Sequence, residues 1–156
     1  MKNYSIIIIA ALVLFSCQNQ KEKYKDTEIY LRVIKNIEDC DDIKDCIEFS
    51  DNRSSIVSKP GQPEAFVSKV NPDKTVLWMG HKDSEPKISV LEVNFKEING
   101  SENILKEKKM KSKDGIVRGK VKPKDSVKQL SIEFYSITFK IDTVEYTIDP
   151  KLEYHK

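Results

Sequence analysis

Along most of this chain, hydrophobic residues alternate with polar ones instead of recurring at helical spacing. Alternation with a period of two predicts strands. In residues 28–35, Ile29, Leu31 and Val33 share one parity, and Tyr30, Arg32 and Ile34 share the other. Residues 36–49 break the pattern, with Ile37, Ile43 and Ile47 spaced irregularly among acids, and predict a loop or one short helix. Asp51-Asn52 and Pro60-Gly61-Gln62-Pro63 are turn signals, so residues 54–58 between them form at most a short strand. Strands are predicted at 65–70 and 75–79, joined by Asn71-Pro72-Asp73-Lys74 with proline at the second turn position. In residues 88–97, Leu91, Val93 and Phe95 are expected on one face and Glu92, Asn94 and Lys96 on the other. Residues 104–113 are too charged for a core helix, and Asp114-Gly115 turns the chain into a strand at 116–121. The clearest alternation is Tyr135, Ile137, Phe139 and Ile141, then Asp142-Thr143, then Val144, Tyr146 and Ile148, which predicts a β-hairpin. Leu130, Ile132 and Phe134 lie on the opposite parity; a bulge near Phe134 and Tyr135, or a strand buried on both faces, reconciles them. Asp149-Pro150 is expected to end the last regular strand. Seven or more short strands without an amphipathic helix of ordinary length predict an all-β protein, an antiparallel β-sandwich.

The longest apolar run is 6–15, behind Lys2 and before Ser16 and Cys17. It is shorter than the roughly 20 apolar residues that span a bilayer, so it predicts a secretory signal. Leu14-Phe15-Ser16-Cys17 resembles the lipobox of bacterial lipoproteins. That resemblance implies cleavage before Cys17 and acylation of its sulfur and its new amino terminus, giving the several acyl chains a stable anchor needs. The other reading of the same residues is an ordinary signal peptide that happens to contain Cys17. The expected organisation is a signal peptide at 1–16, the lipidated cysteine and a flexible tether at 17–26, and one domain at 27–156. Gln18-Asn19-Gln20-Lys21-Glu22-Lys23 lacks the acidic cluster that marks surface export in some lipoproteins of this kind. The resemblance therefore implies an outer-membrane anchor facing the periplasm.

An exported chain meets an oxidising compartment, which changes how the remaining cysteines are read. With Cys17 assigned to lipid, Cys40 and Cys46 form an even pair around Asp41-Asp42-Ile43-Lys44-Asp45 and predict a disulfide. Net charge is only +2, yet acids concentrate in residues 26–55 and lysines in 104–128. Lys106, Lys108, Lys109, Lys111 and Lys113 are a candidate binding surface for anionic lipid head groups or an acidic glycan. They serve equally as a solvated strand edge that discourages pairing with other molecules. Nucleic acid is not expected behind a secretion signal, and no aromatic residues interleave these lysines for base stacking.

Residues 70–78, Val-Asn-Pro-Asp-Lys-Thr-Val-Leu-Trp, resemble the turn and tryptophan strand of cupredoxin-like sandwiches. The hairpin from Tyr135 to Phe139 and from Tyr146 to Pro150 resembles their closing hairpin. Its Tyr-x-Ile-Asp-Pro ending is similar to that of small uncharacterised bacterial lipoproteins. The resemblance covers residues 64–153 and implies a cupredoxin- or immunoglobulin-like sandwich. Its copper chemistry does not follow, because a blue-copper site needs two His, a thiolate and usually an axial Met. Between Lys120 and Tyr154 the chain has no Cys, His or Met.

Other chemistry is sparse. His81 and His155 are the only histidines, and both fall in polar surroundings unsuited to a nucleophile–histidine pair. No glycine-rich phosphate loop occurs. Asp39, Asp41, Asp42 and Asp45 offer oxygens for Ca²⁺ but lack the glycine and terminal glutamate of an EF-hand loop. Trp78 is expected in the core. The expected function is a non-catalytic binding or accessory module without a cofactor, anchored in the cell envelope by lipid and meeting an envelope protein or glycan. The alternative is a metal- or redox-handling domain that uses Cys40, Cys46 and His81.

Overall fold

A computed structural model describes residues 25–53 and 57–156. The signal segment 1–16, Cys17, most of the tether and the first three residues of the 54–58 segment lie outside the described residues. Ten strands form two facing sheets, and the only helical turns among the described residues are three short 3-10 segments. The strands are β1 (Thr27–Val33), β2 (Ile47–Asp51), β3 (Val67–Val70), β4 (Thr75–Gly80) and β5 (Ile88–Phe95). They continue with β6 (Lys109–Lys111), β7 (Val117–Lys120), β8 (Ile132–Ile141), β9 (Val144–Ile148) and β10 (Lys151–Tyr154). One sheet has the order β2-β1-β4-β7. The other has the order β3-β10-β8-β5-β6, with β9 also paired to β8. The all-β sandwich expected from the alternation is present. Its sheets are mixed, however: β1 runs parallel to β4, and β10 runs parallel to β3.

Alternation works here because successive strand side chains point to opposite faces. In β1, Ile29, Leu31 and Val33 are buried beside Val76 and Trp78 of the neighbouring β4, and all belong to the one hydrophobic core. The turn before β4 is closed by Lys74 N donating to Asn71 O, with Asp73 at φ 59, the left-handed position that follows proline in a type II turn. Asp114 and Gly115 both have positive φ and make the two-residue turn between Lys113 and Ile116. The β8–β9 hairpin keeps the expected register, with Ile141 opposite Val144 across Asp142-Thr143.

Three expectations are corrected. Residues 36–49 hold two 3-10 turns and then a full strand, β2. The lysine-rich stretch contains β6, a three-residue edge strand in which only Met110 is buried, in keeping with the solvated strand edge expected there. Asp149-Pro150 does not end the sheet, since β10 follows it at once. Finally, β8 has no bulge at Phe134 and Tyr135; its odd positions from Glu133 to Ile141 are all buried. Ile132 and Phe134 are half-buried on the outer face, where the Lys151 ammonium sits 5.2 Å from the Phe134 ring centre. The register break lies in β5 instead, between Val90 and Glu92. There Leu91 is the extra residue, so Ile88 and Val90 face inward before it and Val93 after it.

Each side of the sandwich is closed differently. On one side the chain changes sheets: Leu105 bridges Val121 beside β7, and four residues later β6 pairs with β5 in the other sheet. On the opposite side, polar groups join β2 to β3. Ser68 Oγ donates to Asp51 Oδ2 at 2.5 Å, and Thr27 Oγ1 donates to Lys69 O at 3.1 Å. Arg53 adds bonds to Thr27 Oγ1 at 2.6 Å and to Asn71 Oδ1 at 2.5 Å.

Two stability outcomes follow from this packing. A methyl group on Gly80 would lie 2.3 Å from the backbone oxygen of Ile88, whereas one on Gly119 would meet the flexible Met110 Sδ at 2.7 Å and the edge of Trp78 at 3.1 Å. Gly80→Ala is expected to destabilise by about 3 kcal/mol and Gly119→Ala by clearly less, because a thioether yields and a strand backbone does not. Urea unfolding followed by Trp78 fluorescence checks this, and equal costs would refute it. Cys40 and Cys46 are joined as a disulfide across six residues of sequence. Replacing both with serine is expected to lower stability by about 2 kcal/mol, the loop-closure contribution of so short a ring. Unchanged unfolding midpoints would show that the crosslink does not constrain the unfolded chain.

Candidate functional site

The candidate groups from the sequence are dispersed over the fold. The five lysines line the β6 edge and its flanks, all exposed. Lys108 pairs with Glu97 and lies 5.5 Å from the Phe95 ring centre, and Lys109 pairs with Glu92 at 2.9 Å. Glu92 is held below the usual carboxylate range by its hydrogen bond from Asn94 and then by Lys109, and Glu97 by Lys108. Exposed pairs of this kind contribute little to stability. They do partly neutralise the basic face, leaving Lys106, Lys111 and Lys113 outside any ion pair among the described residues.

The acidic loop is organised by local bonds. Asp42 caps the turn Ile43–Asp45 by accepting from Lys44 N at 3.0 Å, and the disulfide closes the same loop. His81 accepts from Asp83 N at 3.2 Å through Nδ1 and packs edge-on against Tyr30, with ring centres 5.6 Å apart. Tyr30 donates to Glu28, and that bond, with burial adding to it, pushes the phenol up to about 12. His155 contacts Glu153. Among the described residues, no group of three or more His, Cys, Asp or Glu is placed to hold a metal ion. The sulfurs of Cys40 and Cys46 are bonded to each other, so neither is a thiolate ligand in this state.

Two features were not legible as sites. The first is Glu133, fully buried on the inner face of β8. Its Oε2 accepts from Ile104 N at 2.5 Å and Leu105 N at 3.0 Å, while Oε1 has no partner among the described residues. Burial pushes this carboxyl up to about 7, opposed by the two backbone N–H groups and by Lys122. Two positions along, Tyr135 packs edge-on against Trp78 at 5.6 Å, and burial pushes its phenol well up. The indole N–H lies near that hydroxyl without reaching hydrogen-bond geometry, so both polar atoms are unpaired. The parity of Ile137, Phe139 and Ile141, extended backward, placed Glu133 inside; that was the available signal.

The second feature is a cleft of about 510 Å³ at the free side of β3. Val57, Phe66 and Val67 supply apolar wall, and Lys59, Lys69 and Glu153 supply charge. Its apolar wall includes unusually exposed side chains, Val57 at 48% and Val67 at 38%. Beside the cleft, Ser58 closes the edge of β2, donating its N–H to Phe49 O at 2.8 Å and accepting Phe49 N–H on Oγ at 2.7 Å. The 3-10 turn Pro63–Ala65 then carries the chain across to β3.

No protein-family model and no curated protein matches this chain.

Glu133 makes stability depend on pH. Its folded-state value is above the ordinary one, so its contribution is fully present below about pH 4.5 and is lost as pH rises to about 7. Wild-type stability is expected to fall by the order of 3 kcal/mol over that interval from this group alone. Glu133→Gln should flatten the profile, as measured by urea unfolding at each pH. A variant with the wild-type slope would show that another group titrates.

Proposed function

We propose that this chain is a lipid-anchored protein of the cell envelope that acts by binding, as an accessory module without catalysis. The cleft beside β3 carries the binding reading: it joins an exposed apolar wall to a charged rim at a sheet edge, the composition of a recognition surface. The anchor reading rests on Leu14-Phe15-Ser16-Cys17, with the acylated Cys17 holding the domain at the outer membrane on its periplasmic side. The disulfide between Cys40 and Cys46 suits such an oxidising location. The sandwich, with buried Trp78 and the β8–β9 hairpin, fits a cupredoxin-like fold that has lost its copper ligands. The partner is an envelope protein or glycan rather than nucleic acid.

The test combines palmitate labelling with crosslinking in cells, comparing the native chain with Cys17→Ala. The native chain is expected to take up label, fractionate with membranes and crosslink to a specific partner. The variant is expected to lose the label and the membrane association together. Label uptake by the variant, or an equal spread of both chains between membrane and soluble fractions, would overturn the anchor.

A further inference from the structure

We infer that the open edge of β3 is a peptide-docking site that takes an extended, acidic segment of a partner protein as an added strand. This inference rests on the binding-module reading above and names the kind of partner it takes. The first observation is the hydrogen-bonding pattern of β3. Lys151 N donates to Phe66 O at 3.1 Å and His155 N donates to Val70 O at 2.9 Å. In a parallel pair every second residue faces the neighbouring strand. Phe66, Ser68 and Val70 therefore bond to β10, while Val67 and Lys69 direct their backbone groups away from it. Lys69 O receives Thr27 Oγ1, but the N–H and C=O of Val67 and the N–H of Lys69 have no partner among the described residues.

The second observation is how differently the other edges are treated. The edge of β2 is closed by Ser58, and that of β7 is continued by the bridge between Leu105 and Val121. β6 is three residues long and flanked by lysines, features that discourage pairing with another chain. Among the described residues β3 has no such cover and fronts the cleft, whereas the open edge of β9, which pairs only with β8, does not line it. An extended chain laid along it would pair with the free groups of Val67 and Lys69 and set alternate side chains against Val57, Phe66 and Val67.

The third observation fixes the charge. Lys59 and Lys69 are exposed at the cleft and form no ion pair among the described residues, while Glu153 is engaged by His155. Lysines without an ion pair also occur elsewhere, Lys106, Lys111 and Lys113 among them, but at β3 they stand beside an apolar wall and unpaired backbone groups. Two unmatched cations on an apolar edge call for acidic side chains alternating with apolar ones. Such a segment is itself a strand-forming pattern.

The test uses the full chain in detergent micelles and two end-capped peptides of about eight residues, long enough to cover the edge. One alternates valine with glutamate, the other valine with lysine. Amide hydrogen exchange is read by NMR at about 1 mM peptide, which detects even weak association. The glutamate peptide is expected to slow exchange at Val67 and Lys69 at least tenfold, and the lysine peptide to leave it unchanged. Lys59→Glu combined with Lys69→Glu should reverse that preference. Val67→Pro, which removes an outward N–H, should abolish protection at Lys69 with the near-ultraviolet signal of Trp78 retained. Equal protection by both peptides, protection confined to β6 or β9, or none at all would overturn the inference. So would protection that grows with protein concentration alone, since the occupant would then be a second copy of this chain. A partner crosslinked in cells at another face would sink the edge and leave the module reading standing. Failure of the native chain to crosslink to any specific partner would sink the module reading itself.

Discussion

The sandwich depends on the backbone pairing of β8. This ten-residue strand bonds β5 along one edge and divides the other between β10 near its start and β9 near its end. Its inner face supplies Tyr135, Ile137, Phe139 and Ile141 to the core, and Tyr135 meets Trp78 of the facing sheet. Hydrogen bonding fixes where the neighbouring strands lie, and the parity of β8 fixes which residues they must turn inward. The same parity carries Glu133 into the interior, where the backbone N–H groups of Ile104 and Leu105 are its hydrogen-bond donors among the described residues. That contact ties β8 to the place where the chain begins to cross between sheets. A carboxyl group thus sits where geometry left little choice, and two N–H groups that would otherwise lie unpaired in the core are satisfied by it.

Legibility in the sequence followed the strength of local constraints. The β8–β9 hairpin and the strand around Trp78 could be read because alternation and turn residues agreed there. The bond between Cys40 and Cys46 could be read because few pairings of cysteines were open. β6 could be read only as a lysine-bearing strand edge, without bounds, because one buried side chain, Met110, in three residues gives no alternation. β10 escaped because Asp149-Pro150 stops one strand without preventing the next, and Pro150 O still accepts from Tyr135 N. For Ile132 and Phe134 the alternation alone leaves either a bulge in β8 or burial on both of its faces. The two side chains find partial cover on the outer face, Phe134 beneath Lys151, and the interruption falls at Leu91.

The candidate site was less legible than the fold. The lysine run stood out by composition, yet part of its charge is matched by Glu92 and Glu97. The cleft beside β3 draws on residues near 57–69 and on Glu153, which no local pattern connects. It becomes visible only once β10 is known to run parallel to β3, because that pairing decides which backbone groups face outward. Parallel partners are joined by long connections and leave no hairpin signature in the chain.

The position of β10 also constrains how the molecule is made. Lys151–Tyr154 lies inside its sheet, between β3, whose sequence precedes it by more than eighty residues, and β8. A nascent chain that has emerged only through β9 has nothing to hold β3 in the sheet, and the wall of the cleft does not yet exist. Closure over so long a separation is slow compared with hairpin formation. The cleft wall must therefore wait, with the hydrogen-bonding edge of β3 that faces β10 unpaired, until β10 has been synthesised. Assembly is consequently a late, concerted event rather than a strand-by-strand accretion, and truncation a few residues into β10 would dismantle a surface built mostly from the middle of the chain.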